Sequence, residues 1–155
     1  ARMLLIDSVG KKVDFVREVA ASLGLPDVES VQARAEELAR RPRYRERFDL
    51  AVARGVSSLS PLAEYCLPFV RLGGLFVAMK GPKVAQEMGS GARAVAILGG
   101  GELSTCQLEL PFEAGVRVLV SATKRRGTPD QYPRRPGIPE RRPLGQAATN
   151  RKSPG

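Results

Sequence analysis

Two cationic residues stand at the ends of strand-like apolar runs in the middle of the chain. Arg54 follows the run at 48–52, and Lys80 follows the run at 75–79. Between the runs, apolar residues recur at helical spacing: Leu62, Tyr65, Cys66, Phe69 and Val70. The pattern predicts a strand, a helix and a second, parallel strand. Arg54 and Lys80 should then emerge at one carboxyl-end edge, where open α/β sheets bind ligands.

The helix of this βαβ unit has sequence signals at both ends. Ser60 is a favourable N-cap and Pro61 suits the first helical position. The pair Gly73-Gly74 is typical of a helix stop. We therefore expect the helix to begin at Pro61, after the N-cap Ser60, and to end at Gly73-Gly74.

The residues before this unit predict a further βαβ arrangement. Residues 3–6 form an apolar run that ends in Asp7, followed by an amphipathic helical pattern that Gly24 closes. A second strand is predicted at 28–32 and a short helix at 35–39. Asp7 should therefore lie at a carboxyl-end strand edge.

Two segments could be taken for phosphate-binding loops. Residues 40–47, RRPRYRER, have the charge pattern of an exposed, solvated connector, which we favour over a phosphate site. The GSGAR sequence at 89–93 contains a GxG, but no strand precedes it and it lies within a helical pattern at 84–98. We therefore assign neither segment to phosphate binding.

The predicted sheet ends in an antiparallel pair. Strands are expected at 103–110 and 116–122, joined by a turn at 111–115. The whole order is typical of a mostly parallel α/β sheet with a terminal hairpin. The pattern of a globular domain covers residues 1–123.

Residues 124–155 form a basic, proline-rich tail. They hold nine of the 25 Lys and Arg residues but only two of the 16 acidic ones. Their prolines are so dense that no helix or central strand is expected. Such an extension favours a polyanionic partner such as nucleic acid, and the alternative is a solvated, disordered tail.

Composition excludes several classes of site and location. The chain has no histidine, which excludes a histidine-based triad and a histidine-ligated metal centre. Cys66 and Cys106 lack CxxC spacing, and we expect two buried free thiols. The apolar runs are far shorter than a membrane span and no signal peptide is recognisable, so we expect a cytoplasmic protein.

Four segments resemble one protein family: LLIDSVGKKVDFV, QARAEELA, FDLAVARGVSSLSPLAEYCLPFVRLGGLFVAMKGP and TPDQYPRRPGIPERRPL. They are similar to the bacterial small-subunit ribosomal RNA guanine-N7 methyltransferases, the RsmG or GidB family, over nearly the whole chain. The resemblance implies the Rossmann-like class I fold of S-adenosylmethionine-dependent methyltransferases, whose sheet ends in an antiparallel hairpin.

The resemblance also implies which residues contact S-adenosylmethionine. Asp7 corresponds to the acid that accepts hydrogen bonds from the ribose hydroxyls, as a carboxylate can from two donors; its alternative role is a helix N-cap. Ala35 and Glu36 match the position that contacts the adenine. Arg54 matches an arginine beside the cofactor.

The RNA contacts that the resemblance implies lie at Lys80 and in the tail. Lys80 could hold a phosphate, and Tyr132 could stack on a base. The arginines expected to grip the RNA backbone are Arg134, Arg135, Arg141 and Arg142. The alternative for these tail residues is packing of the tail across the domain.

The chain departs from the family at its beginning. The family's helical amino-terminal region, its first strand and the Gly-rich loop of type DxGSGxGFPG have no counterpart, so the chain is expected to be a truncated form. In the class I sheet that strand lies in the centre, between the strands expected at 3–6 and 48–52. We therefore expect two unpaired strand edges.

The resemblance implies methyl transfer from S-adenosylmethionine to guanine N7, a lone-pair nucleophile that needs no strong general base. The alternative is a non-catalytic remnant that binds RNA through its basic tail. A dinucleotide-dependent dehydrogenase is disfavoured because no dinucleotide fingerprint is present.

Overall fold

The computed structural model describes residues 1–55, 57–112 and 115–146. Its first part is a parallel pair of strands, β1 (Met3–Asp7) and β2 (Val28–Gln32), connected by the helix α1 (Gly10–Ser22). The short helix α2 (Ala35–Leu38) follows β2. All four elements lie where the sequence predicts them.

The second part is a four-stranded sheet in the order β3-β4-β6-β5. Its strands are β3 (Phe48–Arg54), β4 (Val70–Lys80), β5 (Ser104–Glu109) and β6 (Val116–Thr123), and its helices are α3 (Leu59–Cys66) and α4 (Met88–Ile97). β3 and β4 are parallel, whereas β6 runs antiparallel to both β4 and β5. The predicted βαβ unit and terminal hairpin are thereby confirmed.

The predicted bounds of α3 are wrong at both ends. Its N-cap residue is Ser58, and the Ser60 hydroxyl instead donates to the Leu144 carbonyl (2.6 Å). The α-helix stops before a 3₁₀ turn that contains Pro68, because proline cannot donate the next helical hydrogen bond. Gly74 lies inside β4, where an added Cβ would come within 2.8 Å of the Asp49 carbonyl oxygen. The glycine therefore permits close approach of β3 and β4 rather than a helix stop.

Four strands, β1, β2, β3 and β5, have one unpaired edge each in the described part of the chain, and those of β1 and β3 are the expected ones. β1 pairs only with β2, and β3 pairs only with β4. Apolar side chains on these strands are exposed, including Met3 (51%), Leu50 (50%) and Val52 (53%). The expected pair of open edges, between the strands at 3–7 and 48–54, is observed.

The main core lies on one face of the four-stranded sheet. Phe76, Ala78 and Val120 project from the sheet and pack against Leu62 of α3 and Val95 of α4. A smaller cluster built around Leu38, Tyr44 and Phe69 joins the β1-β2 pair to this body. The two sheets are therefore held together by side-chain packing near α2 rather than by strand pairing.

The basic segment after β6 folds onto this body up to residue 146. Within it, α5 (Ile138–Arg141) is a short helix, contrary to the expectation that the prolines preclude any helix. The exception is physical: Pro139 lies in the first turn, where its missing N–H has no intrahelical partner to lose. We call residues 124–146 the strap; the predicted tail residues 147–155 lie outside the described residues.

The two cysteines differ from each other. Cys66 is buried in the main core, as expected, and burial raises the pKa of its thiol to about 12. The expectation that Cys106 is buried is wrong, because β5 is an edge strand whose residues are all exposed.

Among the helices in the described residues, none has the length and apolarity to cross a membrane.

Candidate functional site

Asp7 closes β1 at the carboxyl-end edge of the first sheet. Its Oδ1 accepts a hydrogen bond from the Val9 N–H (2.8 Å), and its Oδ2 lies 3.5 Å from the Lys12 Nζ. The Val9 hydrogen bond, helped by Lys12, lowers the pKa of Asp7 below its usual value. Asp7 therefore stabilises the turn before α1 and is also an ionised carboxylate at the strand end. It is not the N-cap residue of α1, because that position is occupied by Val9.

Ala35 and Glu36 open α2 at the same edge. The Ala33 N–H donates to the Asp7 carbonyl (3.1 Å), which holds the chain leading into α2 against the end of β1. Glu36 is only 4% exposed, and its Oε1 accepts the Gly137 N–H of the strap (3.2 Å). Glu36 thus contacts the strap, and its contact with an adenine stays a prediction.

Arg54 and Lys80 end the parallel neighbours β3 and β4, as the sequence predicts. Arg54 is exposed, and its side chain makes no hydrogen bond within the described residues. The Lys80 Nζ instead donates to the Ser57 carbonyl (2.8 Å) and forms an ion pair with Glu87 (2.9 Å). Lys80 therefore holds the loop after β3, while Arg54 remains available to a ligand.

Glu87 is a residue of this edge that sequence reasoning missed. Its Oε2 accepts the Leu59 N–H at the start of α3 (2.6 Å) as well as pairing with Lys80. One carboxylate thus fixes both the first turn of α3 and the side chain that ends β4. No local signal distinguishes Glu87 from a solvated acid, because its partners lie outside its own turn of chain, seven residues away at Lys80 and 28 residues away at Leu59.

Arg134 ties the strap to the buried carboxylate of Glu64. Its Nη2 and Nε donate to Glu64 Oε2 (2.6 Å) and Oε1 (2.9 Å), and its backbone N–H also donates to Oε1 (2.7 Å). Glu64 is completely buried, so this bidentate pair neutralises a carboxylate inside the protein. In this structure Arg134 therefore packs the strap against the domain, which is the alternative to RNA binding that the sequence left open.

The other predicted RNA residues of the strap differ in accessibility. Arg135, Arg141 and Arg142 are exposed, and Tyr132 is half-buried against the main core. The Arg142 carbonyl accepts a hydrogen bond from Arg134 Nη1 (2.8 Å). Arg134 therefore orders the backbone that presents the exposed arginines, and their contact with RNA stays a prediction.

Sequence reasoning also missed a buried lysine at the start of the strap. The Lys124 side chain is inaccessible to solvent, and its Nζ contacts the Leu67 carbonyl (2.7 Å), Thr128 Oγ1 (2.5 Å) and Glu46 Oε1 (3.1 Å). Burial lowers the pKa of Lys124, and Glu46 opposes this shift. Burial alone would raise the pKa of Glu46, but the Thr128 N–H and Lys124 lower it overall.

A cavity of about 500 Å³ adjoins Asp7 between β1 and α1. Its walls are mostly apolar, with Ile6, Val13 and Phe15 prominent, and Lys12 stands beside Asp7. The Ser30 hydroxyl, which also lines this cavity, is buried without a partner among the described residues. The donors and acceptors near Asp7 fit the hydroxyl-bearing part of a nucleoside.

Clusters of three or more acidic or cysteine side chains that could hold a metal ion are absent from the described residues.

Known proteins resemble this chain over nearly all of its length. The sequence model of the GidB family, described as rRNA small subunit methyltransferase G, matches residues 1–113. Ribosomal RNA small subunit methyltransferase G of Moorella thermoacetica is 48% identical over 142 residues, which cover 92% of this chain and 59% of the relative. The protein of the same name from Alkaliphilus metalliredigens is 43% identical, covering 92% and 60%. The chain thus spans about 60% of the length of these relatives.

Solved structures resemble the fold at low sequence identity. An rRNA methylase from Streptococcus thermophilus has a TM-score of 0.54 at 16% identity, covering 81% of this chain and 74% of that chain. A SAM-dependent O-methyltransferase from Thermotoga maritima has a TM-score of 0.59 at 12% identity, covering 81% and 51%. These neighbours confirm the predicted Rossmann-like class I methyltransferase fold. Because the family model covers most of the chain, this chain belongs to the GidB family of rRNA small subunit methyltransferase G proteins.

Proposed function

We propose that this protein transfers a methyl group from S-adenosylmethionine to N7 of a guanine in small-subunit ribosomal RNA. The observation that supports the proposal is the set of charged side chains at the carboxyl ends of parallel strands. Asp7 ends β1, Glu36 follows β2 and Arg54 ends β3. Family membership supports the reaction class and, because the substrate is ribosomal RNA, a cytoplasmic location is part of the proposal.

Three sets of residues position the cofactor in this proposal. The Asp7 carboxylate, ionised because the Val9 N–H lowers its pKa, accepts hydrogen bonds from ribose hydroxyls. Ala35 and Glu36 contact the adenine, and the buried Glu36 is held in place by the strap at Gly137. The exposed guanidinium of Arg54 lies beside the cofactor and interacts with it electrostatically.

S-adenosylmethionine supplies an electrophilic methyl group when it is bound. Guanine N7 presents a lone pair and carries no proton, so the protein need not remove one. Catalysis then depends on holding the base in line with the methyl group and on excluding water. This requirement suits a chain without histidine.

RNA in this proposal contacts the strap and the rim that Arg54 and Lys80 form. Arg135, Arg141 and Arg142 are exposed and bind phosphates, and Tyr132 stacks on a base through its accessible part. Arg134 acts by ordering this segment through Glu64. Lys80 contacts a phosphate of the RNA after its ion pair with Glu87 is broken.

A second candidate is an RNA-binding protein without catalysis. It is favoured by the exposed strap arginines. The two candidates differ in cofactor use, because only the first requires S-adenosylmethionine.

A chimera tests the proposed activity. This chain replaces the matching 59% of the Moorella thermoacetica relative, so that the remaining part is supplied by a protein of the same family. We expect the chimera to form N7-methylguanosine in unmodified small-subunit ribosomal RNA, measured by mass spectrometry of nucleosides. Arg54→Ala should lower the rate by at least about tenfold, as expected for a lost positioning contact.

Arg117→Ala is the matched control, because Arg117 is an exposed arginine whose side chain, among the described residues, donates a hydrogen bond only to the neighbouring Val116 carbonyl. A folded chimera that binds S-adenosylmethionine but forms no N7-methylguanosine would overturn the proposed reaction. An Arg54→Ala variant as active as Arg117→Ala would remove Arg54 from the site.

A further inference from the structure

Two arginine-rich segments meet at the edge of the sheet opposite the candidate cofactor site. Residues 40–47 precede the amino end of β3, and the strap begins after the carboxyl end of β6. Arg40 Nη2 donates to the Gln131 carbonyl (3.1 Å), and Arg45 Nη2 donates to the Thr128 carbonyl (2.8 Å). The connector and the strap therefore form one surface, although about 80 residues of sequence separate them.

Besides Arg43, which pairs with Glu29, this surface carries five exposed arginines: Arg40, Arg41, Arg47, Arg125 and Arg126. We call them the basal arginines. None of them forms an ion pair within the described residues. Three of them donate hydrogen bonds to main-chain carbonyls instead. Arg47 donates to the Pro42 carbonyl (3.4 Å), Arg126 to the Ala96 carbonyl (3.0 Å) and Arg40 to the Gln131 carbonyl. Each guanidinium has five donors, so most remain available.

Several carboxylates around this surface are already paired with other cations. Glu46 pairs with the buried Lys124 (3.1 Å), and Glu29 pairs with Arg43 (3.1 Å). The remaining acids of the two segments are Asp130 and Glu140, and the exposed Glu37 precedes the connector; together they are fewer than the five basal arginines. The basal edge therefore has a net positive charge that the protein does not neutralise.

Buried contacts fix the backbone beneath the basal arginines. Lys124 anchors the start of the strap to the Leu67 carbonyl (2.7 Å), while the Thr128 N–H donates to Glu46 (2.7 Å). Arg45 adds a hydrogen bond to the Tyr132 carbonyl (2.9 Å). Because both segments are held from below, the exposed guanidinium groups need little ordering before they bind a partner.

We propose that the basal arginines bind the phosphodiester backbone of RNA, as a contact surface separate from the candidate cofactor site. The inference rests on the proposed function in taking RNA as the partner. Planar guanidinium groups with unused donors suit phosphate oxygens. β3 has seven residues, so its two ends are about 20 Å apart, and a nucleotide at the cofactor edge reaches the basal arginines only as part of a larger folded RNA.

Salt-dependent RNA binding by the full 155-residue chain tests this proposal. The probe is a fluorescent, folded transcript of small-subunit ribosomal RNA, and the variant combines Arg40→Gln, Arg47→Gln and Arg126→Gln. We expect the slope of log affinity against log salt to become shallower by about 2, and affinity at physiological salt to fall by about tenfold or more. The control combines Arg2→Gln, Arg17→Gln and Arg117→Gln, which removes the same charge from exposed positions elsewhere.

Equal slopes and equal losses in the two triple variants, both verified as folded by circular dichroism, would overturn the proposal. Failure of the unsubstituted chain to bind the transcript would overturn it as well. Displacement of the RNA by polyglutamate at equal anionic charge would assign the surface to an acidic polypeptide instead. The proposed function is tested separately, by binding of S-adenosylmethionine at the opposite edge, where Asp7 and Arg54 lie. A negative result for the basal arginines is therefore distinguishable from failure of the proposed function.

Discussion

At the scale of single residues, charge is used in two different ways. Asp7 and Arg54 stand at strand ends with at least part of their side chains accessible. Glu64, Lys124 and Arg134 carry charges that are fully or largely buried and that neutralise one another or their neighbours. The first group is available to a ligand, whereas the second group stabilises the strap.

The pair Glu64 and Arg134 gives a prediction about stability. Arg134→Ala leaves the completely buried Glu64 carboxylate without its counter-charge, so we expect a loss of about 3 kcal/mol in the free energy of unfolding. Urea unfolding followed by circular dichroism measures the change. The adjacent, exposed Arg135→Ala is the control and should change the free energy by less than about 0.5 kcal/mol. Equal, small effects of the two substitutions would contradict the structural role of Arg134.

Sequence patterns predict the strand-end residues but not the buried ion pairs. Asp7, Arg54 and Lys80 follow apolar runs, and a run followed by a charge marks the place where a strand leaves the core. The partners Glu64 and Arg134 are 70 positions apart. Their pairing depends on the path of the strap, which no local periodicity encodes.

At the scale of elements, the connection from α3 to β4 shows how one dipeptide can be misinterpreted. Gly73-Gly74 has the composition of a helix stop, yet both residues lie inside β4. The register between β3 and β4 shifts next to Phe48 and Leu50, and the neighbouring strand approaches Gly74 closely. Glycine is required at position 74 because of this contact between strands. The sequence of one segment alone cannot predict such a contact.

Gly74→Ala tests that explanation. The new methyl group would lie 2.7 Å from the Val70 Cγ1 and 2.8 Å from the Asp49 carbonyl oxygen, so a strand must shift. We expect a loss of about 1 to 3 kcal/mol in the free energy of unfolding, measured with urea. Gly81→Ala is the matched control, because a Cβ there meets no atom within 4 Å and its φ of −96° suits any residue. A Gly74→Ala variant as stable as Gly81→Ala would refute the close-approach argument.

At the scale of the whole molecule, the order of strands is the feature that sequence predicts best. Periodicity predicts each strand, the parallel pair β3 and β4 and the terminal hairpin, and the family resemblance predicts open edges on β1 and β3, which the structure contains. The strap is the feature that sequence predicts least well. Its proline content indicates an extended tail, whereas residues 124–146 are held by long-range contacts to Glu36, Glu46, Glu64 and Ser60.

The open edges bear on how strongly this chain can bind a cofactor. Leu50 and Val52 on β3 are about half exposed, and β1 has no partner on one side in the described residues. The chain spans about 60% of the length of these relatives, and its 155 residues contain no loop of the type DxGSGxGFPG, which the family resemblance implies for the methionine end of the cofactor. We therefore expect the 155-residue chain to hold only the nucleoside part of S-adenosylmethionine, and to do so weakly.

The most direct test is a titration of the isotopically labelled chain with S-adenosylmethionine, followed by the chemical shifts of its backbone amides. We predict a dissociation constant of about 1 mM or weaker, with the largest shifts at Asp7, Val9, Ala35, Glu36 and Arg54. Asp7→Asn should reduce these shifts, whereas Asp14→Asn, at an exposed carboxylate of α1, should leave them unchanged. Shifts confined to other faces of the molecule, or no shifts near Asp7 and Arg54 at saturating cofactor, would contradict the assignment of this edge as the cofactor site.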